Sequence, residues 1–167
     1  TLNMESSSST TGVGDVTGIV KRTHTFLQNV EYSFGSQHTI LSFNDANLKP
    51  TWVSVKITIG SVAPWSSWTP NGKVKRLYQV ACSDNSSTST SSFNMRYLLS
   101  ELDASYNDES ELIIWHKSVS FNGGNPHEHG KSNQDFNDHF VGLSGLIFGT
   151  WATTDLDESQ LSIAYSL

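Results

Sequence analysis

The chain has 167 residues, of which 36% are apolar and only 16% charged, with a formal net charge of -6. That length fits one domain with a sizeable core, kept soluble by Ser, Thr and Asn more than by charge, since globular chains usually carry about 25% charged residues. The acidic balance excludes a free-standing nucleic-acid binder unless a basic arm precedes Thr1, the single Cys82 excludes an internal disulfide, and no apolar run approaches the ~20 residues that span a bilayer.

The opening, TLNMESSSSTTGVGD, lacks the apolar stretch of a signal peptide. With Met4 inside it, it reads as a chain whose first residues precede Thr1. Residues 1–17 are rich in Ser, Thr and Gly and hold almost nothing to bury, which predicts a flexible N-terminal arm ahead of a domain over 18–167. From there the apolar period is two. GIVKRTHTFLQ and QHTILSFN are weaker strand candidates. WVSVKITIG places Val53, Val55, Ile57 and Ile59 on one face and Ser54, Lys56 and Thr58 on the other, the pattern of a half-buried strand. KVKRLYQVACS does the same with Val74, Tyr78, Val80 and Cys82. In FNMRYLLSELD, Phe93, Met95, Tyr97 and Leu99 fit a strand, while Met95, Leu98, Leu99 and Leu102 fit a helical face; a strand followed by a short helix is expected. ELIIWHKSVSF offers Ile113, Trp115, Val119 and Phe121 to one side, FVGLSGLIFGTW is a weaker candidate, and QLSIAYSL closes with Leu161, Ile163, Tyr165 and Leu167. About eight strands joined by Asn/Asp/Gly/Pro/Ser-rich loops predict an all-β fold, an eight-stranded antiparallel jelly-roll sandwich.

Between the last strands, NPHEHGKSNQDFNDHF concentrates titratable groups. His127 and His129, one residue apart, could hold a metal with Asp138 or His139 as third ligand. The His-x-His of metal-binding cupins is followed by a glutamate, and here Gly130 to Gln134 supply none. A polar loop between strands, made pH-sensitive by its histidines, is the plainer reading. The acidic stretches with Glu101, Asp103, Asp108, Glu109 and Glu111, and with Asp155, Asp157 and Glu158, lack the EF-hand spacing. They read as a solvated acidic face, or as carboxylates able to share calcium across a subunit boundary.

The basic residues form two patches, Lys21-Arg22 and Lys73, Lys75 and Arg76, which could meet the phosphates of a polyanion on one surface. No Gly-x-Ser-x-Gly elbow, phosphate-binding loop or dinucleotide motif is present, so serine or cysteine catalysis has no support, and an enzyme would have to be a metal-dependent jelly roll using His127 and His129. Asn85-Ser86-Ser87 is a formal glycosylation sequon, and Cys82 sits in an apolar run as a small core residue. In PWSSWTP, Trp65 and Trp68 look exposed and read as a subunit contact first, and with Trp52 as a carbohydrate platform second.

A polar arm, one all-β domain, loops bearing aromatics and carboxylates, and no catalytic set together resemble the coat proteins of very small icosahedral viruses, the satellite-virus jelly rolls. The resemblance covers residues 18–167. It implies a capsid protein that self-assembles from copies of itself into an icosahedral shell and packages genomic RNA. It also implies an arm facing the genome, loops making the inter-subunit contacts, calcium at some of them, and residence in the virion after assembly in the host cytoplasm, with no membrane partner. One departure stands out: such arms are usually rich in Lys and Arg, and residues 1–17 have none. The alternative is a carbohydrate-binding β-sandwich.

Overall fold

The computed structural model describes residues 1–84, 86–105, 108–118 and 122–166. The chain is all-β, two sheets packed face to face. Strands β1 (Leu2–Met4), β2 (Gly18–Thr23), β5 (Trp52–Ile59), β6 (Lys73–Cys82), β12 (Ser159–Tyr165), β8 (Leu112–Ser118) and β9 (His127–Gly130) form the larger sheet, side by side in that order. The smaller sheet runs β10 (Asn133–Asp135), β11 (Phe140–Ile147), β7 (Thr90–Arg96), β4 (Ile40–Phe43) and β3 (Glu31–Ser33). All pairings are antiparallel except that of β1 with β2. Twelve strands thus stand among the described residues, where about eight were expected. The extra four, β1, β3, β9 and β10, are edge strands of three or four residues, too short to show a period.

The alternation read from β5, β6 and β12 sets the core. Val53, Val55, Ile57, Val74, Tyr78, Val80, Leu161 and Ile163 meet Leu41, Phe43, Phe93, Met95, Val141 and Leu143 of the opposite sheet. On β8 the expected face is reversed: Leu112 and Ile114 enter this core, while Ile113 and Trp115 point out of the sandwich. Val119, Phe121 and Leu167 lie outside the described residues, as does Asn85 of the sequon. As expected, β7 is a strand, and a short 3-10 turn follows at Leu99–Glu101. One extra residue bulges β11 between Leu143 and Leu146, with Gly145 at φ 78, a left-handed conformation that glycine adopts without strain. The helical turn α1 (Phe148–Trp151) then plugs the end of the sandwich, Trp151 stacking on Phe93 and Phe148 meeting Phe43 edge-on.

Residues 1–17 lie along the domain. β1 pairs with β2, Val16 N–H donates to Gly35 O, and the Asp15 carboxylate bonds the Arg76 guanidinium at 3.1 Å.

Candidate polyanion-binding face

Strand alternation decides which side chains leave the sandwich. Val20 and Arg22 of β2, Val55 and Ile57 of β5, Val74 and Arg76 of β6 and Leu112 and Ile114 of β8 turn inward. The intervening Lys21, Lys56, Lys73, Lys75 and Lys117 therefore share the outer face of the larger sheet, leaving only Lys49 and Lys131 elsewhere. Register aligns part of this face into one row. Lys56 lies opposite Gln79, Gln79 opposite Gln160, and Gln160 opposite Lys117, a span of roughly 14 Å at the usual strand spacing. Among the described residues no lysine takes part in an ion pair. The outward positions of β2, β5, β6, β8 and β12 carry no carboxylate. Acidic groups from neighbouring segments lie on and beside the face instead: Asp157 accepts from Gln79 within the row at 2.9 Å, Asp155 and Asp157 share a hollow with Lys21, Trp52 and Lys56, and Glu128 stands opposite Trp115. Lys21 Nζ sits 4.3 Å above the Trp52 ring.

Two of the expected phosphate-binding residues are not on this face. Arg22 and Arg76 are fully buried, because the period that turns Lys21 and Lys75 outward turns their neighbours in. Arg76 is held by Glu101 at 2.7 Å and by Asp15 at 3.1 Å, and Arg96 reaches the same Asp15 at 3.3 Å. Lys73 donates to Trp68 O at 2.8 Å and lies 4.7 Å from that ring, so it supports the tryptophan loop. Lys21 and Lys75 do lie on this outer face, together with Lys56 and Lys117. Both could have been found from the sequence by following the polar face of each strand as closely as the apolar one.

The loop carrying Trp65 and Trp68 does not stand out into solvent. Both indoles are buried, 6% and 4% exposed, in a second core with Ala63, Leu77, Trp115 and Ala164. Their rings lie 4.6 Å apart, Trp68 meets Trp115 edge-on, and Trp65 Nε1 donates to Gln160 Oε1 at 2.5 Å. The loop folds back because Leu77, Ile113, Trp115 and Ala164 make an apolar stripe on the outside of the sheet that needs cover. These tryptophans therefore offer no free surface to a neighbouring copy or a sugar, leaving Trp52 as the half-exposed indole.

The His-x-His segment is the edge strand β9 and not a loop, and it does not meet Asp138. His129 Nε2 lies 3.2 Å from Nδ1 of the buried His116, whose Nε2 lies 3.3 Å from Ser159 Oγ. Ser159 Oγ–H donates to Trp151 O. Asp138 stands 3.7 Å from His38, and His139 bonds Glu109 at 3.0 Å. Burial first, then the neighbouring His129 and His127, push the His116 pKa down to about 3, and His129 is lowered for the same reasons.

The acidic stretches are spent singly. Glu101 pairs with Arg76, Asp103 and Asp108 accept from local backbone N–H groups, Glu109 accepts from the Tyr97 hydroxyl, and Asp157 accepts from Gln79. Among the described residues no group of three or more His, Cys, Asp or Glu side chains could hold a metal ion. No helix among them is long and apolar enough to cross a membrane.

Fold and site together define a two-sheet β-sandwich with one lysine-bearing face. Comparison with protein-family models, with curated proteins and with solved structures finds no match for this chain.

Proposed function

We propose that this chain is a structural protein, a coat subunit of satellite-virus type that assembles from copies of itself into a closed icosahedral shell around RNA. The observation that carries the reading is the placement of Lys21, Lys56, Lys75 and Lys117 on one sheet face of a protein with net charge -6. An acidic protein that gathers most of its lysines on one side can present that side to phosphates and the rest to identical neighbours. Closed symmetry is how a small domain encloses volume. In this reading the sandwich is wound as a jelly roll, the lysine face looks inward to the genome, and any calcium bridges copies, no group of three or more His, Cys, Asp or Glu among the described residues of one chain being placed to hold it. It places the protein in the virion and, during assembly, in the host cytoplasm.

Light scattering and electron microscopy of the purified protein, with absorbance at 260 nm, test this. Uniform particles many times the 18.4 kDa of one chain, carrying nucleic acid, are the expected result. An 18.4 kDa species at every concentration, salt level and pH would overturn it.

One observation favours a second reading, a carbohydrate-binding module. Trp52 borders a hollow with Lys21, Lys56, Asp155 and Asp157, an indole beside hydrogen-bonding groups suited to stack on and grip a sugar ring. Retention of the protein on a glycan array, lost in Trp52→Ala, would select it.

A further inference from the structure

The chain's three arginines, Arg22, Arg76 and Arg96, are all buried, and all point at the N-terminal segment. Arg96 donates to Val13 O at 2.9 Å and Gly14 O at 3.3 Å, and Asp15 lies between Arg76 and Arg96. Arg22 is held differently. Its Nε donates to Ser33 O at 3.0 Å, Nη1 to Glu5 O at 2.7 Å, and Nη2 to Ser8 O at 2.7 Å and Ser33 Oγ at 3.3 Å. Every acceptor is neutral, and among the described residues Arg22 has no ion pair although it is 0% exposed. A buried cation without a countercharge is costly, and a guanidinium is made for two oxygens of one anion.

The two oxygens at the end of its fork come from a single turn, closed by Ser8 N–H donating to Glu5 O at 3.1 Å. That turn mimics an oxyanion and brings no charge. Apolar packing adds little to its hold: every residue from Glu5 to Gly14 except Thr10 is exposed, only Met4 and Val16 pack on the core at its flanks, and besides the arginine bonds the segment is tied by Thr10 N–H to Ser33 Oγ at 2.8 Å and Gly12 N–H to Gln37 Oε1 at 3.2 Å. A hollow lined by Asn3, Glu5, Ser6, Lys21, Thr23 and His24 adjoins the turn on the outer face of the sheet, the side opposite Arg22. Lys21 is the residue that joins this hollow to the lysine face.

We propose that Arg22 forms a phosphate site capped by the Glu5–Ser8 turn, and that a phosphate group of a polyanion takes the place of the two carbonyls and releases the segment as a strap. The gain is the ion pair that the turn cannot supply. The ligand class rests on the polyanion reading above, whereas the site and its cap rest on the arginine geometry alone.

Hydrogen–deuterium exchange of the full chain, followed on peptides covering residues 2–14, tests the site. Inorganic phosphate or a single-stranded oligonucleotide is titrated against chloride at equal ionic strength. The expected result is a saturable, several-fold acceleration of exchange over 2–14 in wild type, absent in Arg22→Met. Ser8→Pro, which removes the N–H closing the turn and leaves the core untouched, should lower the midpoint concentration several-fold. That variant keeps the test open if Arg22→Met fails to fold. Exchange no faster than in chloride, an Arg22→Met response equal to wild type, or an unmoved midpoint in Ser8→Pro would each overturn the proposal. Response to the oligonucleotide alone assigns the site to nucleic acid, and response to inorganic phosphate alone assigns it to free phosphate. The double variant Lys56→Glu, Lys117→Glu separates the two readings: it should weaken oligonucleotide binding to the lysine face and leave opening of the strap by inorganic phosphate unchanged.

Discussion

His116 makes the stability of this fold depend on pH in a way that can be worked through. Its ring is buried, with Nδ1 against His129 and Nε2 against Ser159. Ser159 already gives its proton to Trp151 O, so the consistent arrangement has His116 donating from Nε2 and accepting at Nδ1. A second proton on the ring would displace the bond from His129 and leave a charge out of water. Its pKa accordingly falls from the ordinary 6.5 to about 3. The folded state resists a proton that the unfolded chain accepts, so this contribution to stability is full above pH 6.5 and lost as pH falls towards 3. Between pH 7 and pH 5 that loss amounts to about 2 kcal/mol from one ring. His129, lowered in the same direction, adds to it. Urea denaturation at both pH values, for wild type and for His116→Gln, isolates the effect, because every carboxylate titrates equally in the two proteins. The variant should be less stable at pH 7 and lose about 2 kcal/mol less than wild type on going to pH 5. Equal losses in the two proteins would refute the argument, as would an imidazole NMR signal of His116 that titrates near pH 6.5 in the native protein.

Three further outcomes follow from the packing. Trp65→Ala and Trp68→Ala should each cost about 3 kcal/mol in chemical denaturation, the scale of emptying a buried aromatic site, so the double variant would fail as a monomer before any effect on assembly could be read. Asp15→Ala leaves Arg76 and Arg96 short of a shared countercharge and should lower stability by about 3 kcal/mol, with protease cleavage of the first fifteen residues sharply accelerated. The Cys82 thiol, buried and pushed up to about 11 by burial, should ignore a thiol-specific reagent at pH 8 in the native protein and react fully in urea.

How much of this was legible in the chain can be argued residue by residue. β5, β6 and β12 could be read from the period of their inward apolar residues, even though outward positions such as Ser54, Leu77, Gln79 and Ala164 are buried as well. The same period separates Lys21 from Arg22 and Lys75 from Arg76. Treating each pair as a basic patch ignored it, and grouped side chains that the backbone sends to opposite faces. β9 left no trace in composition because His127, Glu128 and His129 are polar on both sides of an edge, where burial selects nothing. The tryptophan loop was misread for a different reason. Trp65 is covered only because Leu77, Trp115 and Ala164, distant in sequence, come together beneath it, and no local pattern encodes that meeting. The strap was hidden the same way: a run of Ser and Thr reads as unanchored until the arginines that grip its carbonyls are brought alongside.

The last strand, β12, lies between β6 and β8 and bonds to both. Its neighbours in the sheet are thus synthesised first and stand apart, each with an unmatched edge, until it arrives. Folding cannot proceed in step with translation across this sheet, and a nascent chain stalled before Ser159 would display two open edges to whatever is near it, other nascent copies included.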